Sequence, residues 1–158
     1  MSNPAFNIRR ARPEEAALLT EITLRSKAHW GYSQPFMEAA RPSLTLQPDY
    51  IKANSVYLLE TGAEVAGYYS LLPKGNNVVE LDFLFIDPRY IGQGIGRKLW
   101  SHAVKIARQS GYSSMLIEAD PNAEAFYQKM GALSVGERES SVIAQFPGRK
   151  LPLLEYKL

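Results

Sequence analysis

Cysteine is absent from the 158 residues, which removes disulfides, thiolate metal ligands and a cysteine nucleophile together. Histidine is scarce: His29 and His102 lie far apart, and neither has a second ligand at metal-binding spacing, so no metal site is expected. No apolar run is long enough to cross a bilayer, and Met1 to Arg10 lack the apolar core of a secretion signal. Nor is there a surplus of one charge, since 18 Lys and Arg against 16 Asp and Glu leave a formal +2. Neither nucleic acid nor a membrane is therefore expected as a partner, and any anion must be caught by a local site. What is present is a globular balance, 46% apolar and 22% charged, at a length typical of one domain. The expectation is a soluble, cytoplasmic domain occupying the whole of 1–158.

The order of patterns predicts a mixed α/β fold. Phe6 to Ile8 reads as a first strand, and Pro13-Glu14-Glu15 opens a helix that fades near His29-Trp30-Gly31. Pro35, Pro42 and Pro48 restrict Tyr32 to Asn54 to short helical pieces. Val56–Glu60 and Glu64–Leu72 read as strands joined at Thr61-Gly62-Ala63, and Val78–Ile86 as a long strand ending at Asp87-Pro88. A helix from about Gly94 to Gln109 carries Ile95, Leu99, Ala103 and Ile106 on one face. Ser114–Glu118 is a strand, Asn122–Met130 a short helix, and Gly131–Val135 and Leu151–Leu158 are strands separated by a polar segment around Arg138 to Arg149. Hairpins early and helical crossovers late differ from the strict alternation of a doubly wound sheet. Exposed strand edges make a homodimer a possible assembly.

Between the long strand and its helix runs Ile91-Gly92-Gln93-Gly94-Ile95-Gly96-Arg97-Lys98. Glycines there permit positive φ and close backbone approach, and a helix start offers unpaired N–H groups to a phosphate. Arg97 and Lys98 add positive charge, with Arg89 a further source; the bland alternative is a tight strand-to-helix turn. A P-loop is excluded because Lys98 is followed by Leu99 where a magnesium-binding hydroxyl is required. A dinucleotide fingerprint is excluded because position 97 is Arg and hairpins precede the strand.

The glycine run resembles the acyl-CoA-binding motif of the GNAT superfamily of N-acyltransferases, with Ile91 at the position usually held by Arg or Gln. Asp120-Pro121-Asn122-Ala123-Glu124-Ala125-Phe126-Tyr127-Gln128-Lys129-Met130-Gly131-Ala132 resembles the same family's later motif, with Ala132 where Phe is commoner. The resemblance implies a mostly antiparallel central sheet flanked by helices, and acetyl-CoA as cosubstrate. It implies that Ile91, Gly92, Gln93, Gly94, Ile95, Gly96, Arg97 and Lys98 hold the pyrophosphate, and that Asn122 bonds the pantetheine arm or caps its helix. Main-chain groups near Leu84, Phe85 and Ile86 would pair with that arm, although a buried strand explains the same triplet. Tyr127 matches the tyrosine that serves the departing sulfur; its alternative role is a core aromatic.

Transfer to an amine needs a base, because an alkylammonium has a pKa of about 10. Glu80 and Asp82 point, by alternation, to one face of their strand. Glu80 falls where some family members carry a catalytic glutamate and is the expected base, directly or through water, with Asp82 the second candidate and part of the acceptor site. The alternative is that both are outward-facing or hydrogen-bonded supports of the strand. Trp30 and Tyr32 can enclose an amine's carbon chain, or Trp30 can plug the helix against the sheet. Arg138, Ser140, Ser141 and Arg149 suggest a lid suited to carboxylate-bearing acceptors. Without cysteine, and with no Ser backed by His, direct transfer to a small-molecule or peptide amine is expected. A non-catalytic acyl-CoA-binding module is the other reading.

Overall fold

The computed structural model describes residues 5–140 and 148–158. Its strands are β1 (Phe6–Arg10), β2 (Ser55–Thr61), β3 (Glu64–Gly75), β4 (Val78–Ile86), β5 (Ser114–Glu118), β6 (Leu133–Glu139) and β7 (Lys150–Lys157). Its helices are α1 (Ala16–Ala28), α2 (Gln34–Leu44), α3 (Pro48–Ala53), α4 (Ile95–Gln109) and α5 (Glu124–Lys129). The strands form one sheet in the order β1-β2-β3-β4-β5-β7-β6. Every neighbouring pair is antiparallel except β4 and β5, which α4 connects as a parallel crossover. The mixed, mostly antiparallel sheet flanked by helices is the architecture the sequence implies.

Each face of the sheet has its own core, because alternate residues of a strand point opposite ways. Tyr69 packs toward α4 with Leu81, Leu99, Trp100 and Met115, whereas its neighbour Tyr68 packs toward α1 and α3 with Leu19, Ile22 and Ile51. The α4 stripe is completed by Ile95, Ala103 and Ala107, all buried. On α1, Leu19, Ile22 and Thr23 recur at helical spacing and are fully buried. No helix of the described residues is long and apolar enough to cross a membrane.

Two local readings are corrected. The segment after Gly31 holds an 11-residue helix, α2, not merely short pieces. Pro35 falls in its first turn, where no helical N–H bond is needed, and Ser33 caps it by accepting from Phe36 N at 3.2 Å. Pro42 falls in its last turn, so little helix remains to be broken. The strand expected to end at Val135 continues to Glu139 by pairing with β7.

Gly67 on β3 shows how tightly this frame is built. A Cβ there would stand 2.8 Å from the Phe85 carbonyl oxygen and 3.1 Å from Leu99 Cδ1. Backbone cannot retreat from such a contact without parting β3 from β4. Gly67→Ala is expected to cost about 3 kcal/mol, measured by denaturant unfolding; an unchanged midpoint would show that the strand pair yields easily.

Candidate active site

A bulge sets the geometry of the site. Ser70 pairs with Phe83 and Leu71 with Leu81, so Asp82 is the extra residue of β4. The bulge shifts the side-chain parity: Val79 and Leu81 face the α4 core, then Leu84 and Ile86 do, while Phe83 and Phe85 face the other. Beyond it β4 and β5 part, since their ladder covers only Val78–Glu80 against Ser114–Leu116. Among the described residues, the free edge of β4 from Leu81 to Ile86 has no strand partner on that side.

A cleft of ≈ 580 Å³ occupies the gap. Leu84, Phe85 and Ile86 form one wall, and Asn122, Phe126 and Tyr127 another. At its mouth the glycine turn bends with φ +87° at Gly92 and +75° at Gly94, both with open space where a side chain would stand. Gly94 is the N-cap of α4, and the first helical bond runs from Lys98 N to Gly94 O at 3.1 Å. The N–H groups of Ile95, Gly96 and Arg97 precede it and face the positive end of the helix dipole outward. This is a ready anion cradle. Gly96 serves differently, since a Cβ there would meet the Phe126 ring at 3.2 Å; its smallness lets α4 approach α5.

The expected cofactor residues are not all brought together. Ile91, Gly92, Gly94, Ile95, Gly96 and Arg97 line the cleft, whereas Gln93 does not. Lys98 turns away, its ammonium 5.6 Å from the centre of the Phe6 ring, so its charge is spent on β1. Arg89 does not replace the missing charge either. It bonds Asp87 at 3.0 Å and lies 3.7 Å from Glu64.

Tyr127 is buried against Trp100 and Phe126, with ring centroids at 5.8 and 5.2 Å, yet it lines the cleft. Burial, helped by the charge of Asp120, pushes its phenol well above the ordinary tyrosine range, so it stays protonated. Asn122 is not the cap of its turn. Asp120 is, accepting from Asn122 N at 2.8 Å, while Asn122 Nδ2 donates to Asp120 Oδ1 at 2.9 Å and to the Tyr32 hydroxyl at 3.2 Å.

A second chamber of ≈ 350 Å³ adjoins the cleft, and Lys27, Asp82, Phe85, Glu118 and Asp120 line both. Glu80 faces only this chamber, Asp82 both spaces. Burial and the charge of Asp82 push the Glu80 carboxyl above the usual glutamate range, against the pull of Lys74 at 3.7 Å. Asp82 accepts from the Tyr50 hydroxyl at 2.6 Å. Trp30 stands half-exposed at the cleft mouth, so it does not plug the helix against the sheet. Tyr32 stacks on Phe36 at 4.3 Å and donates to Asp120 at 2.8 Å. Arg138 pairs with Glu118, Arg149 lies over Tyr32 and Phe36, and Ser140 lines the same chamber; Ser141 lies outside the described residues.

Two aspartates that brace the region escape a local reading. Asp87 and Asp120 each precede a proline at the end of a strand, and each caps a short 3₁₀ turn with its side chain. Asp87 is fully buried; burial opposes its ionisation, but Arg89 and Arg25 hold its carboxyl down to about 2. Asp120 ties the buried Lys27 of α1 to the cleft floor. The doubled Asp-Pro signal was visible as turn chemistry, and its partners were not.

The gap in the sheet, the anion cradle and the buried phenol meet at one cleft. The sequence model of the Acetyltransferase (GNAT) family matches residues 20–132, and the chain belongs to that family. It is 33% identical over 151 residues to Peptidyl-lysine N-acetyltransferase YjaB of Salmonella typhimurium, covering 94% of this chain and 95% of that one. Its fold is similar to that of paia N-acetyltransferase from Thermoplasma acidophilum, solved in complex with coenzyme A: TM-score 0.78, 20% identity, 98% and 99% of the two chains. It is also similar to yncA from Salmonella typhimurium, solved with its cofactor acetyl-CoA: TM-score 0.71, 20% identity, 98% and 94% of the two chains. The protein is thus an N-acetyltransferase.

Proposed function

We propose that the chain acts as a single cytoplasmic N-acetyltransferase domain that passes acetyl from acetyl-CoA directly to a primary amine. One observation carries this: the unpaired turn amides, the free edge of β4 and the Tyr127 phenol all face one cleft. Acetyl-CoA fits that arrangement, since its pyrophosphate suits the amides of Ile95, Gly96 and Arg97, with the side chain of Arg97 beside them. Its amide-bearing arm suits the unpartnered backbone of Leu84 to Ile86, with Asn122 opposite. When bound, it supplies an acetyl thioester.

The residues of the chain do the rest. Asp82, reaching both spaces, draws the acceptor ammonium to the gap, and Glu80 removes its proton. The amine nitrogen then bonds the acetyl carbon as that carbon's bond to sulfur breaks. Of the two protons the ammonium loses, one leaves through Glu80 and the other ends on sulfur, with Tyr127 hydrogen-bonding that sulfur as negative charge builds. Calorimetric titration with acetyl-CoA is expected to show one site; no heat at millimolar ligand would overturn the proposal.

A further inference from the structure

The charges of the second chamber do not cancel in place. Three ion pairs account for most of them: Lys74 with Glu80, Arg138 with Glu118, and Lys27 with Asp120. Arg149 and Asp82 are left over. The only carboxylate contact of Arg149 among the described residues is Asp120 Oδ2 at 3.4 Å. That oxygen already accepts from Lys27 and from Tyr32, while its twin accepts twice from Asn122. One carboxylate cannot neutralise two cations, so the Lys27–Arg149 corner keeps a net positive charge.

Arg149 is also built to receive something. Its side chain is only 15% exposed, and its guanidinium lies 5.5 Å from the Tyr32 ring centre and 5.0 Å from that of Phe36. These contacts seat the fork against the aromatic pair. Of its five N–H donors, only those on Nη2 have described partners, at 3.3 and 3.4 Å. A planar oxyanion is the natural partner of such a fork. Asp82 is the complementary leftover: among the described residues it has no ion pair, only the Tyr50 hydroxyl.

We propose that the acceptor is a zwitterion of amino-acid class, its carboxylate received by Arg149 and its amine drawn to Asp82 at the gap. The chamber's ≈ 350 Å³ suits a ligand of that size. This inference rests on the transferase reading and adds the substrate class to it.

The test compares matched acceptors in a thiol-release assay: amino acids, their carboxamides and the corresponding decarboxylated amines. The acids are expected to exceed the other two in kcat/KM by about 10- to 100-fold, the range of hydrogen bonds to a charged group. R149Q is expected to erase that preference through KM for the acids while acetyl-CoA binds as before, and R149K to keep part of it. Calorimetry on CoA-loaded protein gives a readout independent of turnover, with the N-acetylated acids binding more tightly than the N-acetylated amides. Equal rates for acid and amide, or a better rate with a lysine peptide of blocked ends and no acidic residue, overturn the inference alone. Failure of acetyl-CoA to bind overturns the transferase reading, and this inference with it.

Discussion

Replacing Tyr127 by Phe (Y127F) is expected to lower kcat by about 10²- to 10³-fold while acetyl-CoA binds as before. The substitution removes one oxygen and keeps the ring that packs against Trp100 and Phe126, so the cleft wall should hold its shape. The phenol's raised pKa does not disqualify it as a donor to sulfur. The burial that keeps Tyr127 protonated also makes a buried thiolate more basic than one in water, so the two remain matched. It follows that Tyr127 adds no basic limb to the rate profile below about pH 10, its unperturbed value. Rapid-quench measurement of the first turnover separates this chemical step from product release. Wild-type turnover in Y127F would remove the phenol from the mechanism and leave it as a core residue.

The parts of this site legible in the sequence are those encoded within a few residues. Gly92 and Gly94 announce a turn that needs positive φ, and the α4 stripe follows from helical spacing. The later motif places Tyr127 on the same cleft. What the sequence hides is tertiary. Lys27 and Asp120 are 93 positions apart, and nothing near either one signals the other. The bulge at Asp82 carries no glycine or proline, so strict alternation along β4 would send Phe83 toward the wrong core. Gly96 offers its amide to the cradle, but the reason it must be glycine is the distant Phe126 ring. Lys98 reads as a phosphate ligand because it is basic and adjacent, but helix rotation carries it over Phe6. Charge near a motif is a weak guide when one residue turns a helix by 100° or so.

The same tertiary setting makes Glu80→Gln (E80Q) informative in two directions at once. As the base, Glu80 must be ionised to act, so E80Q is expected to lower kcat about 100-fold. Wild-type kcat should fall on the acid side through a pKa above the ordinary glutamate value of about 4.3, because burial and Asp82 raise it. E80Q should lack that limb. For stability the sign is opposite. A carboxyl whose folded pKa is raised binds its proton more tightly in the folded chain, so stability is lost as pH climbs from the unfolded pKa through the folded one. At pH 7 the ionised Glu80 is therefore a burden, relieved only weakly by a half-exposed Lys74 at 3.7 Å. E80Q should melt no lower than the wild type at pH 7, and its advantage should shrink as pH falls through the raised folded pKa and be gone below about pH 4.3, the unfolded value. A variant both slower and more stable would mark the carboxylate as kept for chemistry. Undiminished turnover would move the base elsewhere, and a lower melting point would make Glu80 a structural partner of Lys74.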